Sequence, residues 1–221
     1  MNSKAKKSTV KISDSIGSVS ILELVPKKCL ALLVLAHGAG ANMEHSFMEK
    51  LAMDLSSLGI GTIRFNFPYM ENRKGRPDVP AVAEKTIAVI GEYAHKKFSK
   101  LPLFLSGKSF GGRMGSQRIA KECPDYVKGL IFYGFPLHAM GKESTHRAAH
   151  LNEINIPMLF LQGTKDKLAK LELIQKVCSQ LPTATLEIIE GADHSFKVPK
   201  KLPEPNLNEL SKDWIDSVLV K

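Results

Sequence analysis

The chain has 221 residues, 43% apolar and 24% charged, a balance that supports a full buried core and excludes extended disorder. Its formal charge of +9 allows attraction to nucleic acid, anionic membrane or acidic substrates, but Lys and Arg are dispersed without an aromatic-interleaved patch, so nucleic-acid binding is not expected. The longest apolar run, Cys29 to Ala36, is far shorter than the about 20 residues a membrane span needs, and no apolar signal core follows the basic segment Met1 to Lys7, so one cytoplasmic domain over 1–221 is expected.

In chain order, Thr9 to Ser13 and Ser18 to Val25 read as two strands joined by a turn at Ser15 to Gly17. Leu30 to Ala36 is a continuous apolar run ending near Gly38, the pattern of a strand covered on both faces. Ser46 to Leu58 is helical, with Phe47, Leu51, Leu55 and Leu58 on one side, and Gly59 ends it before a strand at Ile60 to Phe67. Glu71 to Pro80 reads as a mobile loop, because Pro77 and Pro80 oppose regular structure. Val82 to Phe98 is helical, Leu103 to Ser106 a short strand, and Phe110 to Cys123 a helix. Val127 to Tyr133, Met158 to Leu161 and Leu186 to Ile189 read as further buried strands, with helices at Leu168 to Gln180 and about Leu207 to Val220. This alternation predicts an α/β fold with a doubly wound, mostly parallel sheet flanked by helices. Ligands of such sheets bind beyond the carboxyl ends of the strands, so the strand-to-helix turns are the places to seek chemistry. Cys29, Cys123 and Cys178 are scattered, without metal or redox spacing, and are expected as reduced, packed thiols.

One of those turns reads Gly107-Lys108-Ser109-Phe110-Gly111 and satisfies G-x-S-x-G between a predicted strand and a predicted helix. Glycines there let the chain turn sharply and lift the serine hydroxyl above the sheet, beside a helix N-terminus that favours an oxyanion. A phosphate-binding loop would need glycine where Pro102 stands, which excludes that reading. A serine hydroxyl needs a neighbouring base. Asp166 and His194 each follow a predicted strand, in the order Ser, Asp, His along the chain. Asp193 is too close in sequence to reach the second ring nitrogen of His194 and is assigned a turn role, with Glu190 as the reserve acid. The N–H groups of Phe110 and Ala39 are the candidate oxyanion donors, Ala39 lying in the small-residue loop His37 to Asn42. His37 itself reads as a hydrogen-bonded structural residue.

The segments His37 to Gly40, Gly107 to Arg113, Gly163 to Asp166 and Asp193-His194 together resemble the α/β-hydrolase superfamily over nearly the whole chain. Arg64 to Tyr69 and Phe135 to His138 narrow the likeness to a branch of small serine hydrolases near the dienelactone hydrolases, with a testis-expressed hydrolase-like protein and a chromatin-complex subunit among its animal relatives. The resemblance implies a Ser109-Asp166-His194 triad and no particular substrate. True dienelactone hydrolases use cysteine where this chain has Ser109.

The segment 134–155, where a substrate cap is usual, is short and carries His138, Lys142, His146, Arg147 and His150. An open cleft for a small ester-like substrate follows. His138 is a candidate substrate contact; the cap's basic residues would read a carboxylate or phosphate, or else form a solvated loop. Arg64 interrupts an apolar strand and is read either as a buried, hydrogen-bonded guanidinium or as a second substrate contact. The expected activity is a carboxylesterase or thioesterase that needs no metal or organic cofactor. The alternative is a binding or scaffold protein that keeps the fold without turnover.

Overall fold

The computed structural model describes residues 4–220. The hairpin β1 (Lys6–Ser13) and β2 (Gly17–Leu24) is antiparallel, and β2 joins the sheet by an antiparallel pairing with β4 (Ile60–Phe65). Beyond it β3 (Ala31–Ala36), β5 (Leu103–Lys108), β6 (Val127–Tyr133), β7 (Met158–Gly163) and β8 (Ala184–Ile189) run parallel, giving the order β1-β2-β4-β3-β5-β6-β7-β8. This is the α/β-hydrolase architecture the sequence predicts. Chain direction across the sheet reverses between β3 and β5, so their carboxyl ends open the switch-point crevice where such sheets place ligands.

Apolar residues continue along both faces of the central strands because helices cover both. Along β3, Leu33 and Leu35 pack with α1 (Ser46–Ser57) and α6 (Leu207–Leu219), whereas Leu32 and Val34 face the layer of α3 (Pro80–Lys97), α4 (Phe110–Lys121) and α5 (Leu171–Ser179). Burying each such leucine contributes about 1.5–3 kcal/mol, which is why these runs form the strands that fix the rim.

Four local expectations change. The strand ending at β4 stops at Phe65 because the Phe67 N–H is taken by the His37 ring and Pro68 opens a short helix, α2 (Pro68–Glu71). Glu71 is therefore no loop residue: its carboxylate accepts from Ser20 N–H and Oγ and from Asn66 Nδ2. Pro80 is the first residue of α3, where its missing N–H has no intrahelical partner to lose. The strand β8 is a half-exposed sheet edge, with no fully buried residue, and α5 starts at Leu171 because 164–170 wraps around Asp166. Among the described residues no helix is long and apolar enough to cross a membrane.

Candidate active site

Ser109 caps α4 with φ 50° and ψ −113°, a left-handed conformation that costs a non-glycine residue about 1–3 kcal/mol. The surrounding packing enforces it. A Cβ on Gly107 would lie 2.4 Å from the Gly112 nitrogen, and one on Gly111 would lie 2.6 Å from the Ala36 carbonyl oxygen. Only glycine lets β5, β3 and α4 converge this closely beneath the serine.

The Ser109 hydroxyl lies 2.9 Å from His194 Nε2, and His194 Nδ1 lies 2.7 Å from Asp166 Oδ2. With Nδ1–H donating to the carboxylate, Nε2 is left to accept from the serine. Asp166 is buried and fully engaged: Oδ1 accepts from Leu168 N–H at 2.8 Å and Oδ2 from Gln162 Nε2 at 2.5 Å. Gln162, itself buried on β7, anchors its amide oxygen on Phe135 N–H at 3.1 Å. The loops that carry Asp166 and His194 are interlocked. Lys165 N–H donates to Ala192 O, Gly191 N–H donates to Thr164 Oγ1, and a Cβ on Gly163 would come within 2.2 Å of the Ala192 oxygen. Asp193 has the turn role expected of it, accepting from Ser195 N–H and Lys197 N–H. Glu190 meets Thr164 Oγ1 at 3.4 Å instead of the imidazole.

Lys108 is a functional neighbour that the sequence reading passed over. Its Nζ donates to the His194 main-chain carbonyl at 2.5 Å and sits 5.4 Å from the Phe196 ring centroid, so the elbow and the base loop are tied independently of the Ser-His contact. Burial pulls its ammonium down to about 8, even though the Asp166 and Asp193 charges act the other way. Phe196 is held at φ 62°, a second strained residue in the same loop.

The loop 37–45 lies beside Ser109, with a Cβ on Gly38 placed 3.8 Å from Ser109 Cβ. The Gly38 carbonyl accepts from His37 Nδ1–H at 2.8 Å and from Ala41 N–H at 3.1 Å, and lies 3.3 Å from the Tyr69 hydroxyl. Because a trans peptide points its N–H opposite its carbonyl, the Ala39 N–H faces away from this cluster. Tyr69 also donates to Ala39 O at 2.8 Å. Phe110 is the first residue of α4, where an N–H has no intrahelical acceptor. His37 is wholly buried, with Nε2 accepting from Phe67 N–H, and burial lowers its pKa to about 4. It is a neutral brace of the loop. Tyr69 was visible in the sequence only as part of the family-like segment; burial raises its phenol above the usual range.

Arg64 and His138, the two candidate substrate contacts, both meet backbone groups, which for Arg64 is the buried, hydrogen-bonded guanidinium of its first reading. Arg64 is buried and Nη1 donates to the Met43 carbonyl at 2.8 Å, supporting loop 37–45 from below. His138 is buried with both ring nitrogens occupied: Nδ1–H donates to Ala139 O and Nε2 accepts from Lys170 N–H. In each case the polar side chain satisfies backbone groups, although Arg64 Nε is left buried without a partner. A groove of about 580 Å³ adjoins the base loop, walled by Phe47, Leu51, Phe196, Val198, Leu202 and Leu207.

An α/β sheet with a strained serine at its switch point and two loops from neighbouring strand ends is the layout of an α/β hydrolase. The α/β hydrolase domain family matches residues 30–218, and the chain belongs to that family. Its fold is similar to an α/β serine hydrolase homologue from Coxiella burnetii at 21% identity and TM-score 0.72, covering 86% of this chain and 89% of the other. A dienelactone hydrolase from Anabaena variabilis is similar at 19% identity and TM-score 0.75, with 96% and 98% covered. In sequence, a Mycobacterium tuberculosis protein carrying a provisional phosphoribosyl transferase name is 27% identical over 197 residues. The match takes in 86% of this chain but spans only 42% of that protein's length.

Proposed function

We propose that this chain works as one domain, a serine hydrolase of ester-like bonds in a small substrate. The observation that carries the reading is the unbroken hydrogen-bond path from Ser109 through His194 to Asp166 at the rim of the sheet. Ser109 attacks the substrate carbonyl while His194 Nε2 takes its proton. Asp166 holds the ring in the tautomer with Nδ1 protonated and stabilises the imidazolium that forms. The N–H groups of Ala39 and Phe110 receive the oxyanion, each contributing about 2.7–4 kcal/mol at the transition state.

Collapse of the tetrahedral intermediate expels the alcohol or thiol, which receives the proton from His194, and leaves an acyl-enzyme. Water activated by the same imidazole then releases the acid. No metal or organic cofactor takes part in these steps. The short cap 134–155 leaves the cleft open, favouring a carboxylester or thioester over a large lipid. Gln162 and Lys108 act through their neighbours, the first by orienting Asp166 and the second by holding the His194 loop.

Reaction with a fluorophosphonate probe, followed by mass mapping, tests the proposal. Labelling confined to Ser109, and lost in Ser109→Ala, is the expected result. A folded protein that takes no label overturns it and leaves the scaffold reading in its place.

A further inference from the structure

The cap is docked on the nucleophile helix in a register that groups arginines without acids. Residues three apart on a 3₁₀ helix share a face, so Arg147 and His150, on the 3₁₀ helix His146–Glu153, both face α4. His150 Nε2 lies 2.8 Å from Ser116 Oγ, which fixes the pairing. One turn earlier, Arg147 falls beside Arg113, since Arg113 and Ser116 are likewise three apart. The guanidinium of Arg113 is held below its usual range first by burial and then by the Arg147 charge.

Neither arginine has a carboxylate within ion-pair distance among the described residues, although Arg118 and Lys121 on the same helix do, on Glu122 and Glu84. Arg113 Nε is buried without a hydrogen-bond partner, as is Gln117 Oε1 one turn further on, an amide whose two ends are interchangeable donors and acceptors. Arg147 Nη1 reaches the Pro136 carbonyl only at 3.5 Å. Two adjacent guanidinium forks therefore hold few protein acceptors, and an anion between them would relieve their mutual repulsion.

The location gives the pair its meaning. Arg113 stands one helical turn from the nucleophile, its main-chain N–H donating to the Ser109 carbonyl at 3.0 Å. Pro136 lies three residues beyond Tyr133, whose carbonyl accepts from Ser109 N–H. We infer that Arg113 and Arg147 bind an anionic group, carboxylate or phosphate, carried by the substrate whose ester bond Ser109 attacks, an assignment that rests on the hydrolase reading above. Arginine suits this task because its planar fork meets two oxygens of one anion. The competing role for Arg147, bracing the cap on Pro136, predicts no dependence on substrate charge.

The test compares two 4-nitrophenyl esters of equal chain length, the glutarate monoester and the neutral pentanoate. The wild-type protein is expected to favour the charged ester in kcat/KM, and Arg147→Met or Arg113→Lys to lower that preference roughly tenfold or more. In parallel, glutarate and inorganic phosphate are titrated calorimetrically into Ser109→Ala protein with and without Arg147→Met. Binding that disappears with Arg147 supports the site, and the tighter of the two anions identifies the group. A charge preference that survives both substitutions, or anion binding indifferent to Arg147, overturns it. Should wild type cleave neither ester, probe labelling of Ser109 decides the hydrolase reading, and the titration alone decides whether the anion site stands.

Discussion

The molecule contains two serine-histidine contacts of almost equal length, 2.9 Å at Ser109-His194 and 2.8 Å at Ser116-His150, and they have different surroundings. Ser109 stands strained at a strand end, with a buried carboxylate behind its histidine. Ser116 lies inside α4, fully buried, with its hydroxyl also 2.9 Å from the Arg113 carbonyl. Its histidine is lowered to about 4 by burial and by the Arg113 and Lys121 charges, and so is neutral; with the Ser116 proton given to the Arg113 carbonyl, Nε2–H is the donor to Ser116 Oγ. A serine near a histidine is thus no indicator of chemistry by itself. The buried carboxylate behind the ring and the strained strand-end position set the first pair apart.

The largest effect expected of this contrast is in turnover. Ser109→Ala should abolish probe labelling and reduce kcat by at least about 10⁴-fold, whereas Ser116→Ala should still label at Ser109. Labelling that followed Ser116 would break the comparison. Next, Asp166→Asn should lower kcat by roughly 10³ to 10⁴-fold with folding preserved, because the ring loses its orienting acceptor; steady-state kinetics beside a thermal melt would show it.

The pH axis sharpens the contrast between the buried histidines and the proposed catalytic one. His37 is held at about 4, below its ordinary 6.5, so below pH 6.5 the unfolded chain binds a proton that the folded chain refuses. Stability should therefore be fully present above 6.5 and fall as pH drops toward 4, by about 3 kcal/mol from this residue. His150 should add less, being partly open to solvent. Urea denaturation across that range, with a flatter slope in His37→Asn, is the check. A smaller change in rate is expected of Lys108→Met, which should lower kcat roughly tenfold by loosening the base loop. Smallest of all, Ser116→Ala should cost about 1–3 kcal/mol of stability, since it removes two hydrogen bonds and leaves His150 Nε2 without a partner, read from its denaturation midpoint.

The sequence was most legible where one physical demand acts alone. The apolar run Val127 to Tyr133 matches β6 at both ends, because burial on two faces permits little else. Ser109, Asp166 and His194 could be singled out because strand ends in a parallel sheet meet at one rim. Residues that serve the backbone were harder to read. Tyr69, Gln162 and Lys108 act on carbonyls and carboxylates between 4 and 86 positions away, and no local pattern records that pairing. The same blindness left Arg64 with two readings and made His138 a substrate candidate. A polar residue in an apolar stretch signals that it must find a partner, but the sequence does not say whether the partner is a substrate or a main-chain oxygen. The edge position of β8 was also hidden, since a half-buried strand and a covered one differ little over six residues.

That edge has a consequence for how the protein should fail. His194 follows β8, an edge strand with no fully buried residue, while Ser109 follows β5 in the middle of the sheet. Edge elements open locally at lower free energy than a core does. Warming should therefore detach the base while the serine remains seated on an intact sheet, and reactivity toward the probe should vanish several degrees before the main unfolding transition. The interlock of Gly163 with Ala192 and the Lys108 tether set how wide that inactive but folded interval is.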